Sequence, residues 1–110
     1  MQKINLLGKE VKIAFSLATE IAYEQITGEA FVIEKLSFTK NAVALYMAAI
    51  IANNPDIDIT TEEIISKASG AEVKALSDAI YAEMKAWMNI PDVMTEKEEE
   101  KKEEDEEKND

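Results

Sequence analysis

The sequence contains no cysteine and no histidine, and all of its basic residues are lysines, so arginine is absent as well. Without thiols or imidazoles, the chain has no cysteine nucleophile, no histidine base, no Cys/His zinc site and no disulfide framework. Without arginine, it has no guanidinium group to bind a phosphate or a carboxylate through two parallel hydrogen bonds. We therefore expect no enzymatic activity, no cofactor and no metal, and by elimination a protein that binds other proteins.

The charge of the chain is strongly acidic and unevenly distributed. The 110 residues include 23 acids and 12 lysines, for a net charge of −11. Residues 95–110 hold ten acids, four lysines and no hydrophobic side chain. Such a segment cannot bury apolar surface, so we predict a small folded domain over residues 1–94 and a disordered acidic tail over 95–110. The acidic balance also disfavours nucleic acid as a partner.

Long apolar runs are missing too. Residues 1–15 alternate lysines with apolar residues and lack the apolar stretch of a signal peptide. The longest uncharged apolar run, residues 42–52, is too short for a bilayer, which needs about 20 residues. We expect a cytoplasmic protein with no membrane partner.

The apolar periodicity of residues 1–94 predicts a β-hairpin followed by four helices. Residues 2–15 alternate apolar and polar side chains around Leu7-Gly8-Lys9, which is typical of a hairpin with one apolar face. Residues 29–37 are compatible with a short helical turn or an extended segment. The fold class is therefore α+β and mostly helical, with a bundle of about four helices.

Each helix has its own sequence signals. The first is predicted from Ser16 to Thr27, with Gly28 ending it, and its inward stripe is expected to be Leu17, Ile21, Ala22 and Ile26. The second is predicted from Thr39 to Asn53, before Pro55. The third begins at a capping box of Thr60 and Glu63, flanked by a staple of Ile59 and Ile64. The fourth, over residues 71–88, has an apolar stripe of Val73, Leu76, Ile80, Met84 and Trp87.

Two carboxylate patterns resemble ligand sites but have simpler explanations. Residues 56–60 have the oxygen spacing of a calcium loop, yet Thr61 and Lys67 stand where such a loop needs glycine and glutamate. Glu20 and Glu24 lie four residues apart on a helix, but carboxylate metal sites in bundles also use histidine, which is absent. We interpret both as solvated surface.

The second helix is the candidate interaction surface. Residues 42–52 are apolar on every side of the helix, which indicates either a central core helix or a helix covered by a partner. The end of the fourth helix poses the same alternative. If these segments are interfaces, they bind a client or a second copy of the chain through Leu45, Tyr46, Met47, Ile50, Ile51, Trp87 and Met88.

The order of elements resembles that of the tail assembly chaperones of long-tailed bacteriophages and prophages. The resemblance is carried by residues 3–31, with Gly8-Lys9-Glu10 at the hairpin turn, Phe15 leading into a helix, and Ile26-Thr27-Gly28 closing it. It implies a chaperone that coats the tape-measure protein before the tail tube polymerises, often as a homo-oligomer. It also implies a longer product made by frameshifting. The alternative is an acidic regulatory or inhibitory protein that occupies a basic site on another protein.

Overall fold

The computed structural model describes residues 1–89, so the predicted acidic tail at 95–110 lies outside the described residues. An antiparallel hairpin is followed by four α-helices, with a short 3₁₀ helix at Ile33–Ser37 between the first two. This confirms the predicted fold class. The elements are β1 (Gln2–Leu6), β2 (Lys9–Ile13), α1 (Leu17–Thr27), α2 (Thr39–Asn53), α3 (Thr61–Lys67) and α4 (Gly70–Trp87).

The hairpin turns through the two-residue loop Leu7-Gly8. Both residues have positive φ, 52° and 79°, which is the conformation of a type I′ turn. Leucine adopts this conformation at a cost of roughly 1–2 kcal/mol. The Leu7 amide donates to Glu72 Oε2 on α4 at 2.7 Å, which holds the turn in place. Beyond the turn, the apolar face of the hairpin is buried, with Leu6, Val11 and Ile13 fully inaccessible.

Helix α2 is the centre of the core. It packs against α1, β2, α3 and α4, and the 3₁₀ helix covers its first turn. Its uncharged run explains this position. A helix with apolar side chains on every side exposes the least apolar surface to water when other elements surround it. The residues that α2 contributes to the core are Ala44, Leu45, Met47, Ala48, Ala49 and Ile50, all of them buried.

Helix α1 is rotated relative to the prediction, which was right for Ala22, a buried residue, and wrong for the other three residues of the inward stripe. Leu17 and Ile21 are 64% and 53% exposed, whereas Thr19 and Tyr23 are buried. Thr19 Oγ1 accepts from the Ser16 amide at 3.2 Å and donates to the Ala14 carbonyl at 3.4 Å. A buried hydroxyl satisfied in this way costs little, so local hydrogen bonds set the rotation of this short helix more strongly than two aliphatic side chains.

Helices α3 and α4 both begin with a capping box, and the sequence predicts the one at α3. The Thr60 amide donates to Glu63 Oε1 at 3.0 Å, and the Glu63 amide donates to Thr60 Oγ1 at 3.2 Å, which confirms the capping box. The staple residues Ile59 and Ile64 are both buried. A second capping box, not predicted, joins Ser69 and Glu72 at the start of α4.

Two consecutive asparagines fasten the end of α2 to β2. Asn54 Oδ1 accepts from the Lys12 amide at 3.0 Å, and Asn54 Nδ2 donates to the Lys12 carbonyl and to the Ile50 carbonyl, both at 2.8 Å. Asn53 Nδ2 donates to the Ala14 carbonyl at 3.0 Å. The side-chain amide of Asn54 thus makes the two hydrogen bonds that a neighbouring strand would make with Lys12 at this edge of the hairpin.

Candidate protein-binding surface

The structure divides the seven predicted interaction residues into three groups. Leu45, Met47 and Ile50 are buried in the core, so in the single chain the core interpretation of α2 applies to them. Tyr46 is half-buried and Ile51 is exposed, on different sides of α2. Trp87 and Met88 lie at the end of α4. The prediction therefore does not describe one continuous surface.

An apolar groove lies where α1, α2 and α3 meet. Its floor is Val43 and Ala44 of α2, and its walls are Ile26 of α1 and Ile65 of α3, around a depression of about 520 Å³. Ile65 is 68% exposed and Ile26 is 41% exposed, although both are large aliphatic side chains. Exposed apolar side chains that line a concave depression form a candidate binding site.

The groove continues along α2 into a second depression of about 370 Å³. Thr39, Val43 and Ile65 line both depressions, so they form one surface. The second part adds Tyr46, and further along Ala68 and Val73. We call this combined surface the α2 groove, defined by Ile26, Val43, Ala44, Tyr46, Ile65 and Val73.

Few charges lie on the α2 groove. Lys40 and Glu29 border the first depression, and the second is lined only by uncharged residues. Glu29 is paired with Lys35, whose Nζ lies 3.1 Å from Glu29 Oε1. A groove with an uncharged floor and a sparse polar rim suits the apolar face of a helix, whose anchors recur at every third or fourth residue.

Trp87 belongs to an aromatic cluster rather than to the α2 groove. Its ring centroid lies 5.5 Å from that of Phe15, which lies 5.6 Å from Phe31, which in turn lies 5.3 Å from Tyr23. These separations are those of favourable aromatic pairs. Trp87 therefore joins the end of α4 to the segment between β2 and α1, although it remains 42% exposed.

Sequence reasoning missed most of the α2 groove. Ile26 was assigned to the core, and Ile65 was not singled out. One available signal was the adjacent pair Ile64-Ile65 on a helix of seven residues, because neighbouring side chains point about 100° apart and a short helix that packs on one side buries one of them more deeply. Ile64 is buried and Ile65 is the exposed member of the pair.

The described residues offer little for chemistry. Within residues 1–89 no group of three acidic side chains is placed to hold a metal ion. The two glutamates with perturbed ionisation are capping residues. Hydrogen bonds from Thr60 lower the pKa of Glu63, and hydrogen bonds from the Ser69 and Leu7 amides lower the pKa of Glu72. Both carboxylates are therefore explained by local structure.

None of the helices within residues 1–89 combines the length and the apolar character needed to cross a membrane. Comparison of the chain with protein-family models, with characterised proteins and with solved structures yields no match. The α2 groove is thus the feature on which a functional argument can be built.

Proposed function

We propose that this chain is a non-enzymatic binding protein that holds an apolar helical segment of a client protein in the α2 groove. The observation that carries the proposal is the exposure of Ile26 and Ile65 on either side of Val43. Placing aliphatic side chains in water forgoes about 25 cal/mol for every Å² left unburied. A client helix that covers them recovers this free energy.

The client that fits both the groove and the sequence resemblance is the tape-measure protein of a long-tailed phage. A long helical protein exposes apolar faces until the tail tube encloses it, and a small acidic partner can cover those faces reversibly. The acidic segment at 95–110 then contributes charge that keeps the complexes apart in the cytoplasm.

The alternative, an acidic inhibitor of a basic site, has less support among the described residues. Several of their carboxylates are already engaged: Glu63 and Glu72 in helix caps, and Asp78 with Lys74 at 2.7 Å. An inhibitor would depend on residues 95–110, whereas a client-binding protein depends on the α2 groove.

The test compares two glutamate substitutions at similarly exposed aliphatic residues. Ile65→Glu places a charge in the α2 groove, and Leu17→Glu places one on the outward face of α1, at 68% and 64% exposure respectively. The full chain is titrated against purified helical segments of the tape-measure protein of a long-tailed phage. We expect Ile65→Glu to weaken binding at least tenfold, which corresponds to about 1.4 kcal/mol, and Leu17→Glu to leave it unchanged.

Two results would count against this function. Equal effects of the two substitutions would show that the α2 groove is not the binding site. Loss of binding on removal of residues 95–110, with both substitutions silent, would favour the inhibitor.

A further inference from the structure

The two edges of the hairpin differ. In an antiparallel pair, residues alternate between those whose backbone groups bond to the partner strand and those whose groups point away. Lys12 bonds to Asn54 through both its amide and its carbonyl, so its backbone points away from β1. Lys3 is the residue opposite Lys12, and its amide and carbonyl therefore point outward from the other edge.

The outer edge of β1 is left open. By the same alternation, the amide and carbonyl of Asn5 also point outward, which gives four backbone groups along one short edge. Lys3 and Asn5 are both exposed, and within residues 1–89 no side chain bonds to these groups as Asn54 bonds to Lys12. An unpaired edge of this kind is a template for an added strand.

We propose that the occupant of this edge is the β1 strand of a second copy of the chain, paired antiparallel about a two-fold axis through Ile4. The two hairpins then form one four-stranded sheet. Lys3 of each copy faces Asn5 of the other, and the outward groups of both residues make four interchain hydrogen bonds. This surface is separate from the α2 groove, so the proposal stands apart from the client-binding function.

The side chains of β1 favour this register over one that brings like charges together. Ile4 is only partly buried on the core face, and the two-fold axis brings it against Ile4 of the second copy. A symmetric pairing shifted toward the chain start places Lys3 opposite Lys3 of the second copy, a repulsive pair. In the proposed register each lysine meets a neutral asparagine instead.

The first test uses charge at Asn5, measured as the dimer dissociation constant of the full chain by analytical ultracentrifugation. In the Asn5→Lys variant, the new lysine faces Lys3 of the second copy and repels it. In the Asn5→Glu variant, the new carboxylate faces the same lysine and attracts it. Because two such pairs occur per dimer, we expect the dissociation constant to rise roughly three- to tenfold for lysine and to fall by a similar factor for glutamate. Within its own hairpin, Asn5 lies opposite Glu10, so lysine there faces an opposite charge and glutamate faces a like charge. Circular dichroism of both variants therefore checks that each is folded before the dissociation constants are compared.

The second test uses the absence of native cysteine. In the proposed register the two Ile4 Cα atoms form a non-hydrogen-bonded pair about 4.5 Å apart, a separation that a disulfide spans. Ile4→Cys should therefore form a covalent dimer under mild oxidation, whereas Lys3→Cys, which lies diagonally from its copy, should not. A chain that stays monomeric at millimolar concentration would overturn the proposal. So would equal cross-linking of both variants, or identical responses to lysine and glutamate at Asn5.

Discussion

Replacement of Asn54 by alanine should destabilise the domain by about 2 kcal/mol. The side chain makes three hydrogen bonds, two to the Lys12 backbone and one to the Ile50 carbonyl. A protein hydrogen bond contributes about 0.5–1.5 kcal/mol net. Three such bonds contribute about 1.5–4.5 kcal/mol together. Two of them are exposed, so water replaces part of what is lost, and the expected loss of about 2 kcal/mol lies near the lower end of that summed range.

The assay is thermal and urea unfolding of the full chain followed by circular dichroism. For a domain of this size, about 2 kcal/mol corresponds to a fall in Tm of roughly 10 °C. Asn54→Asp should be at least as damaging at pH 7, because an acceptor oxygen then faces the two carbonyls that Nδ2 now serves. Gln25→Ala is the matched control, an exposed amide residue for which the structure shows no side-chain hydrogen bond. A change below about 0.5 kcal/mol in Asn54→Ala would refute the view that this amide holds the hairpin to α2.

Three further predictions concern stability. Hydrogen bonds lower the pKa of Glu72 in the folded chain. The stability that this carboxylate contributes is therefore complete above its ordinary pKa of about 4.3 and is lost as the pH falls through the lower pKa of the folded state. Glu72→Gln should flatten that part of an acid unfolding curve followed by fluorescence. Trp87→Ala should lower the free energy of unfolding in urea by about 2 kcal/mol, since it removes a partly exposed ring that packs on Phe15. An unchanged unfolding midpoint would show that the ring contributes nothing to stability. Removal of residues 95–110 takes away no apolar side chain, so the unfolding free energy should change by less than about 1 kcal/mol, and a larger loss would mean that the segment packs on the domain.

The fold was largely predictable because its signals are local. The hairpin follows from strict alternation around Leu7-Gly8, and α3 begins where a capping box and an apolar staple coincide. The end of α2 follows from Pro55, which disfavours helix at the preceding residue. Each of these features depends on neighbouring residues, so it can be interpreted before tertiary contacts are known.

The candidate binding surface was less predictable because it depends on the rotation of helices. Rotation of α1 is set by the hydrogen bonds of Thr19 and the aromatic contact of Tyr23 with Phe31, and neither pairing is visible in the periodicity. Similarly, α2 is apolar all round, so its composition cannot show that Val43 faces the groove while Leu45 faces the core. The sequence therefore identified the helix but not its open side.

The most direct test of the account is a map of amide chemical-shift changes in the labelled full chain as the tape-measure segment is added. We predict that the largest changes fall on the amide signals of residues in the α2 groove, above all Val43, Ala44 and Ile65. The amide signals of Leu17 and Ile21, on the outward face of α1, should not shift. Changes concentrated in residues 95–110, or spread over the outward face of α1, would contradict the claim that this protein binds its client through the α2 groove.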